Sequence, residues 1–368
     1  MKLGKVLLYV LLASWVGVCF VWGQAGIDTI QWEDGKKTAN VVVKSFDFAQ
    51  VKYKEGEAEK TAPTSKVSRI DYGDAPSSFK KGMSSYSQGN WARAYDLFDE
   101  SLSKSKFGAR KWLDEYSTFY KAESARWLKE KAKSDEARRL YLDLIKRFPK
   151  SSHLVNARIG LAQALSALGK YEEAFGALKE LRGNSDLSAA LGSAGMSRVG
   201  VQIGYEKARM LEMQEDFSGA RSAYQEIASS AASSAPTFAA QSRGKVGEMM
   251  VRQGDLSGAR SYFETIRGEF SRKSSLAPHE GVLLAAALAG LGEVLFAEKK
   301  YTEARRVLAV VIVERYDAPE QHAKALYYMG RVHDALKDSE KTAESMAQRY
   351  YQRVRSLHSQ SEWVSRIP

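Results

Sequence analysis

A small residue and a large one recur at fixed spacing along most of this chain. A turn residue, a large side chain and an Ala three positions later stand at Trp91/Ala94, Tyr171/Ala174, Phe217/Ala220, Leu256/Ala259 and Tyr301/Ala304. Ser134 to Ala137 is a weaker copy. Four residues beyond each Ala comes another bulky side chain: Phe98, Tyr141, Leu178, Tyr224, Phe263 and Leu308. Twelve residues before each Ala the side chain is small: Gly82, Ala125, Ala162, Ala208, Gly247 and Gly292. In a seventh, degenerate unit Gly330 precedes Ala343 by 13. Spacings of three and four are the helical period. Two antiparallel helices joined by a short turn interlock only where each offers a small side chain and a bulky one fills the gap beside it. Six units in one frame predict a stack of helical hairpins.

This pairing resembles the tetratricopeptide repeat (TPR), over roughly residues 77–357. The resemblance implies an α-solenoid of about seven hairpins. One departure is that the later helix-B position, usually Ala in that family, is Leu181, Ile227, Ile266 or Val311 here. The Ala-to-Ala intervals are 43, 37, 46, 39, 45 and 39, longer than the family's 34. The surplus falls in Gly183–Gly200, Ser229–Thr237 and Arg267–His279, read as connectors. Pro76, Pro149, Pro236, Pro278 and Pro319 fall between the expected helices, as the missing N–H requires. Arg147-Phe148-Pro149-Lys150-Ser151 and Arg315-Tyr316-Asp317-Ala318-Pro319 are similar in style to exported TPR proteins, such as bacterial outer-membrane assembly lipoproteins and the periplasmic coordinator of the Tol–Pal system. The family's groove is lined mainly by the first helix of each hairpin. Carried over by this frame, the implied partner-binding residues are Phe79, Tyr86, Arg126, Lys129, Asn156, Gln163, Gln202, Tyr205, Arg209, Glu248, Arg252, Glu293 and Tyr327.

Residues 26–75 have another texture. Asp28–Trp32, Gln50–Lys54 and Val67–Tyr72 alternate polar and apolar, Val41-Val42-Val43 is β-branched, and Asp34-Gly35 and Glu55-Gly56 signal turns. Four or five short strands predict a small all-β module, a meander or an SH3-like barrel. Before it, Lys2 and Lys5 precede an uncharged apolar run from Val6 to Trp22, and Gly23-Gln24-Ala25 offers small residues for a peptidase. This pattern predicts a secretory leader over 1–25, with an uncleaved membrane anchor as the alternative. A tail is assigned to 358–368. Cys19 is the only cysteine of the 368 residues, so cleavage would leave no thiol and lower the net charge from +11 to +9. No later segment is read as apolar enough to span a bilayer.

The chemistry of catalysis is hard to find. There is no phosphate-binding loop, no Gly-x-Ser-x-Gly and no His-Glu-x-x-His. Gly290-Leu291-Gly292 lies inside a helical pattern and reads as a helix-packing position. His322 and His333 are eleven residues apart, about 16 Å by helix rise, too far to share one ion. No cofactor, no metal and no catalytic residue are expected. Residues 104–150 hold 14 Lys/Arg against seven Asp/Glu, with Trp112, Tyr116, Phe119, Tyr120 and Trp127 interleaved. Either these charges form an anion-binding face, or they solvate outer helix surfaces while the aromatics fill the core. Export disfavours nucleic acid as the partner. The reading is an exported, non-enzymatic scaffold or adaptor in the periplasm or cell envelope that binds a protein or peptide. The alternative is a structural envelope protein holding an anionic polymer or membrane surface through its basic second repeat. A third reading, an enzyme with its chemistry in the β module, has no motif behind it.

Overall fold

A computed structural model describes residues 27–105, 111–270 and 273–368. The expected leader, with Cys19, lies outside the described residues. The rest falls into two compact units that divide after Pro76.

The first unit is an antiparallel sheet of five strands, β1 (Asp28–Trp32), β2 (Lys37–Phe46), β3 (Gln50–Glu55), β4 (Ala58–Pro63) and β5 (Val67–Asp71), in the order β4-β3-β2-β1-β5. β1 to β4 form a meander, and β5 returns to the far side of β1 after a 3-10 turn at Thr64–Lys66. The β-branched run sits on β2, where Val41, Val42 and Val43 are all buried. Gly56 opens the tight β3–β4 turn at φ 59°, a left-handed conformation that favours glycine. The fully buried carboxylate of Asp28 accepts hydrogen bonds from the amides of Val43 (2.8 Å) and Gly73 (3.2 Å).

Among the described residues the second unit contains fourteen helices: α1 (Ser77–Ser87), α2 (Trp91–Ser105), α3 (Lys111–Trp127), α4 (Lys131–Arg147), α5 (Leu154–Ala167), α6 (Tyr171–Arg182), α7 (Ser185–Met213), α8 (Phe217–Ser230), α9 (Pro236–Arg252), α10 (Leu256–Phe270), α11 (Pro278–Ala297), α12 (Tyr301–Glu314), α13 (Pro319–Ala335) and α14 (Ala343–Leu357). They form seven hairpins, each with a first helix (odd number) and a second (even number). Pro236, Pro278 and Pro319 are the first residues of α9, α11 and α13, where a missing N–H costs nothing.

The repeating frame is what closes each hairpin. Ala94, Ala137, Ala174, Ala220, Ala259 and Ala304 are fully buried, as are Phe98, Tyr141, Leu178, Tyr224, Phe263 and Leu308. A Cβ on Gly82 would stand 2.8 Å from the Phe98 ring, and one on Gly247 or Gly292 would overlap Phe263 or Leu308. Gly290 faces the same Phe263 from the next hairpin. The Gly290-Leu291-Gly292 motif thus accommodates one bulky side chain from each neighbour. The bulkier Leu181, Ile227, Ile266 and Val311 are buried in the core.

Three expectations are corrected. In the seventh hairpin the ring against Gly330 is Tyr351, four residues beyond Ala347, so Ala347 rather than Ala343 fills the frame position. The longer turn after α13 shifts the register. Gly183–Gly200 is mostly helix, because its alanines and buried Leu187 favour helix. Asn184 caps it by accepting from the Leu187 amide at 2.8 Å, and only Gly192 (φ 64°) breaks it. Finally, α11 is long and apolar enough to cross a membrane by length and composition. It is instead a core helix, with 67% of its apolar window buried.

Successive first helices touch: α3 with α5, α5 with α7, α7 with α9, α9 with α11 and α11 with α13. Among the described residues no two successive second helices pack against each other to the same extent. The array therefore curves with the first helices on its inner face.

Candidate functional site

Residues two before and one after the small residue of a first helix lie one turn apart on the same face. On α3 these are Glu123 and Arg126, on α7 Glu206 and Arg209, and on α9 Lys245 and Glu248. Each is an (i, i+3) ion pair, at 2.6, 3.0 and 3.0 Å, with the sign reversed in the third. On α5 and α11 the earlier position is Gly160 or Gly290, so the later residue looks to the next first helix. Gln163 donates to Glu206 at 2.7 Å, and Glu293 receives Lys324 of α13 at 2.7 Å. The inner face thus carries a ladder of charge that steps from hairpin to hairpin.

Two parts of the ladder are tightly held. Glu123, 7% exposed, accepts from Arg126, from Tyr86 at 3.3 Å and from the Tyr141 hydroxyl. Further along, Glu212, Lys245, Glu248, Lys324 and Glu293 form one chain across α7, α9, α11 and α13. Lys324 is 4% exposed and reaches past α11 to Glu248 at 3.3 Å. The hydroxyls of Tyr224 and Tyr328 donate to Glu212 (3.0 Å) and Glu293 (2.5 Å) at its two ends. Burial pushes the Glu248 carboxyl up, but the charges of Lys245 and Lys324 outweigh it and hold the group down to about 2. Lys324 is held above the usual lysine range against its own burial by Glu293 and Glu248.

The implied groove residues occupy several environments. Tyr86, Arg126, Gln163, Arg209, Glu248 and Glu293 are members of the ladder. Tyr205 is half-buried on the same face, its ring against Tyr224 (5.5 Å) and Phe238 (5.4 Å). Phe79 is buried among Phe98, Trp112, Tyr116 and Tyr120, inside the first hairpins. Tyr327 is buried under Trp363 of the C-terminal segment. Lys129 is exposed and donates to the Gln360 carbonyl at 2.8 Å, linking the second hairpin to that segment. Asn156 is exposed and Gln202 half-exposed. Arg252, also exposed, lies over the Phe217 ring at the hairpin turn. Glu123, Glu206, Glu212, Lys245, Lys324 and Trp363 belong to this face but are absent from the implied set. The first, second and fourth of these could have been found two positions before each small residue. Nothing local in the sequence marks Lys324 or Trp363.

Several cations of the basic second hairpin have acidic partners, and the segment keeps its excess of positive charge. Lys121 pairs with Asp99 (2.8 Å), Lys133 with Glu136 (3.2 Å), Arg138 and Arg139 with Asp135 (2.8 and 2.7 Å), and Arg147 with Asp114 and Asp143. Trp112 and Phe119 are buried, and Trp127 stacks on Trp91 at 5.4 Å. His153 stacks on Phe119 at 4.2 Å, and burial pushes its imidazole down to about 4. His322 Nε2 donates to the Ile312 carbonyl (3.2 Å), which leaves its Nδ1 to accept from His358 Nε2–H at 2.7 Å. Among the described residues no cluster of three or more His, Cys, Asp or Glu is placed to hold a metal.

A family profile described as Tetratricopeptide repeat matches residues 125–189, the small residue of α3 through the start of α7. The hairpins α3–α4 and α5–α6, which this match spans, are tetratricopeptide repeats. A solved TPR protein from Parabacteroides merdae is 14% identical and covers 79% of this chain and 95% of its own, with a TM-score of 0.48. The apo quorum sensor NprR from B. thuringiensis is 14% identical over 78% and 77%, with a TM-score of 0.43. A Rap protein complexed with Competence and Sporulation Factor is 15% identical over 78% and 75%, with a TM-score of 0.45. No curated protein matches.

Proposed function

We propose that this protein is an exported, non-enzymatic TPR adaptor whose inner face binds an extended segment of a protein partner in the periplasm or cell envelope. The observation that carries this reading is the ladder itself. Solvated helix faces do not need buried carboxylates, yet Glu123 and Glu206 are buried, Glu248 is half-buried beside them, and each is fixed by a cation one turn away. Fixed charges and hydroxyls, with half-buried Tyr205 among them, form a surface already organised for backbone and side-chain hydrogen bonds, which lowers the ordering cost of binding. Export rests on the leader pattern of residues 1–25 and on a chain without cysteine beyond it. The basic second hairpin is a weaker docking face, because several of its cations already have acidic partners.

The test is site-specific photo-crosslinking in cells, with the probe at Arg209 on the inner face or at exposed Arg139 on a second helix. The reading expects a discrete crosslinked partner from Arg209 only, lost when Arg126 and Tyr205 are replaced by Glu and Ala. Equal crosslinking from both positions would overturn it. N-terminal sequencing of the exported chain should begin at Gly26.

A further inference from the structure

Residues 360–367 lie on the inner face of the last hairpin, with Trp363 only 6% exposed. Its ring meets Tyr327 at 5.2 Å and Tyr328 at 5.7 Å, with the Lys324 ammonium 5.6 Å from its centroid. Arg366 covers the ring at 4.4 Å. The Ser361 hydroxyl donates to Glu320 at 2.7 Å, and the Gln360 carbonyl accepts from Lys129, 231 residues away in sequence, at 2.8 Å. Every one of these receiving groups belongs to a first helix or to a hairpin turn. Lys324 and Tyr328 belong to the charge ladder as well. The chain therefore places a short, aromatic-anchored segment where the proposed partner would lie.

We infer that this slot is a recognition site for a Trp-bearing segment and that the chain's own residues 358–368 are its exchangeable occupant. The partner's chemistry follows from what the tail shows. It is a short stretch in a 3-10 turn, as at Glu362–Val364, with Trp in the Tyr327/Tyr328/Lys324 slot, a hydroxyl or amide two residues before for Glu320, and a basic side chain three residues after to close over the indole. The indole face suits Lys324 through cation–π attraction. Tyr327 and Tyr328 supply rigid walls at low entropic cost. The tail is covalently attached, so its local concentration is of the order of millimolar, and it resists a competitor that binds only micromolar. Its hold is one indole, three hydrogen bonds at His358, Gln360 and Ser361, and the flanking Val364 and Ile367, few enough contacts to keep it displaceable. The inference rests on the inner face being a recognition surface, but its test needs no partner, so the two can fail separately.

The probe is a fluorescent peptide of residues 358–368, added to the full-length protein. The Trp363→Ala chain should bind this peptide at least tenfold more tightly than wild type, because its own occupant is weakened. A peptide with Ala in place of Trp should bind neither. Hydrogen exchange on the wild-type protein keeps the test independent of how well the variant folds. Amides of 361–367 should exchange at least tenfold faster than those of α13, and faster still with excess free peptide. Protection of 361–367 equal to that of α13 would make the tail a permanent cap. Failure of the Trp363→Ala chain to bind the peptide while its helical signal is intact would also refute the inference. A concentration-dependent dimer that persists with excess peptide would assign the tail to a second copy and overturn exchange within one chain.

Discussion

Lys324 is the place to test whether the ladder is structural chemistry or incidental surface charge. The Lys324→Met variant keeps the volume of the stem but removes the ammonium between Glu248 and Glu293. Removing one partner of a buried ion pair costs about 3–5 kcal/mol, because the remaining charge stays uncompensated. Glu248 keeps Lys245 at 3.0 Å, whereas Glu293 keeps the Tyr328 hydroxyl. The loss therefore falls on one carboxylate, and about 3 kcal/mol is expected at neutral pH. Replacing Glu293 by Gln in the same chain removes that stranded charge and should restore about 2 kcal/mol. The pH dependence adds a second check. Glu248 is held down to about 2 in the folded chain, against 4.5 for an unperturbed group. Its contribution is complete above about pH 4.5 and is lost as pH falls toward 2. Without Lys324 the carboxyl is held down less, so wild type and variant should converge over that window. Urea denaturation read by circular dichroism gives the free energies. Hydrogen exchange of α9, α11 and α13 localises the loss, since repeat arrays open by segments. A variant within 0.5 kcal/mol of wild type at pH 7 would refute the reasoning, as would a double variant no better than the single; both bounds are about the additivity error.

Three other outcomes follow from the geometry. Gly247→Ala should cost about 1–3 kcal/mol by forcing a methyl into the Phe263 ring, and Phe263→Leu in the same chain should recover part of it in thermal melts. His153, which takes up its proton only near pH 4 when folded, charges more readily unfolded, so stability should fall as pH drops from about 6.5 to 4. His153→Phe should flatten that slope in a pH series of denaturation midpoints. Burial also lowers His322 and His358, which face each other and, in charge, Arg353. Acidification below their ordinary range should therefore protonate both, break the hydrogen bond and loosen the segment that begins at His358, seen as a red shift of Trp363 emission that is absent in His358→Phe. An emission maximum unchanged to pH 4.5 would count against that account.

The contacts legible in the sequence are those whose two members sit at a fixed distance along the chain. Gly82 with Phe98 and Gly292 with Leu308 are sixteen apart because one short turn joins two helices of set pitch, so spacing alone dictates which side chains oppose. The β-branched run on β2 and the glycine turns were readable for the same local reason. The seventh hairpin departs from the frame only because its turn is longer. The ladder was half legible: the pairs inside α3, α7 and α9 follow from helical period.

What no spacing encodes is how far the array curves. The connectors differ in length, and Gly192 redirects α7, so each hairpin adds its own rotation to the sum. Only that sum brings Lys324 across α11 to Glu248, 76 residues away, and Lys129 to Gln360. By itself the sequence determined seven interlocking hairpins and the small residues that let them close. The tertiary structure decided which charges share a dielectric, and that the last residues of the chain lie on its own inner face.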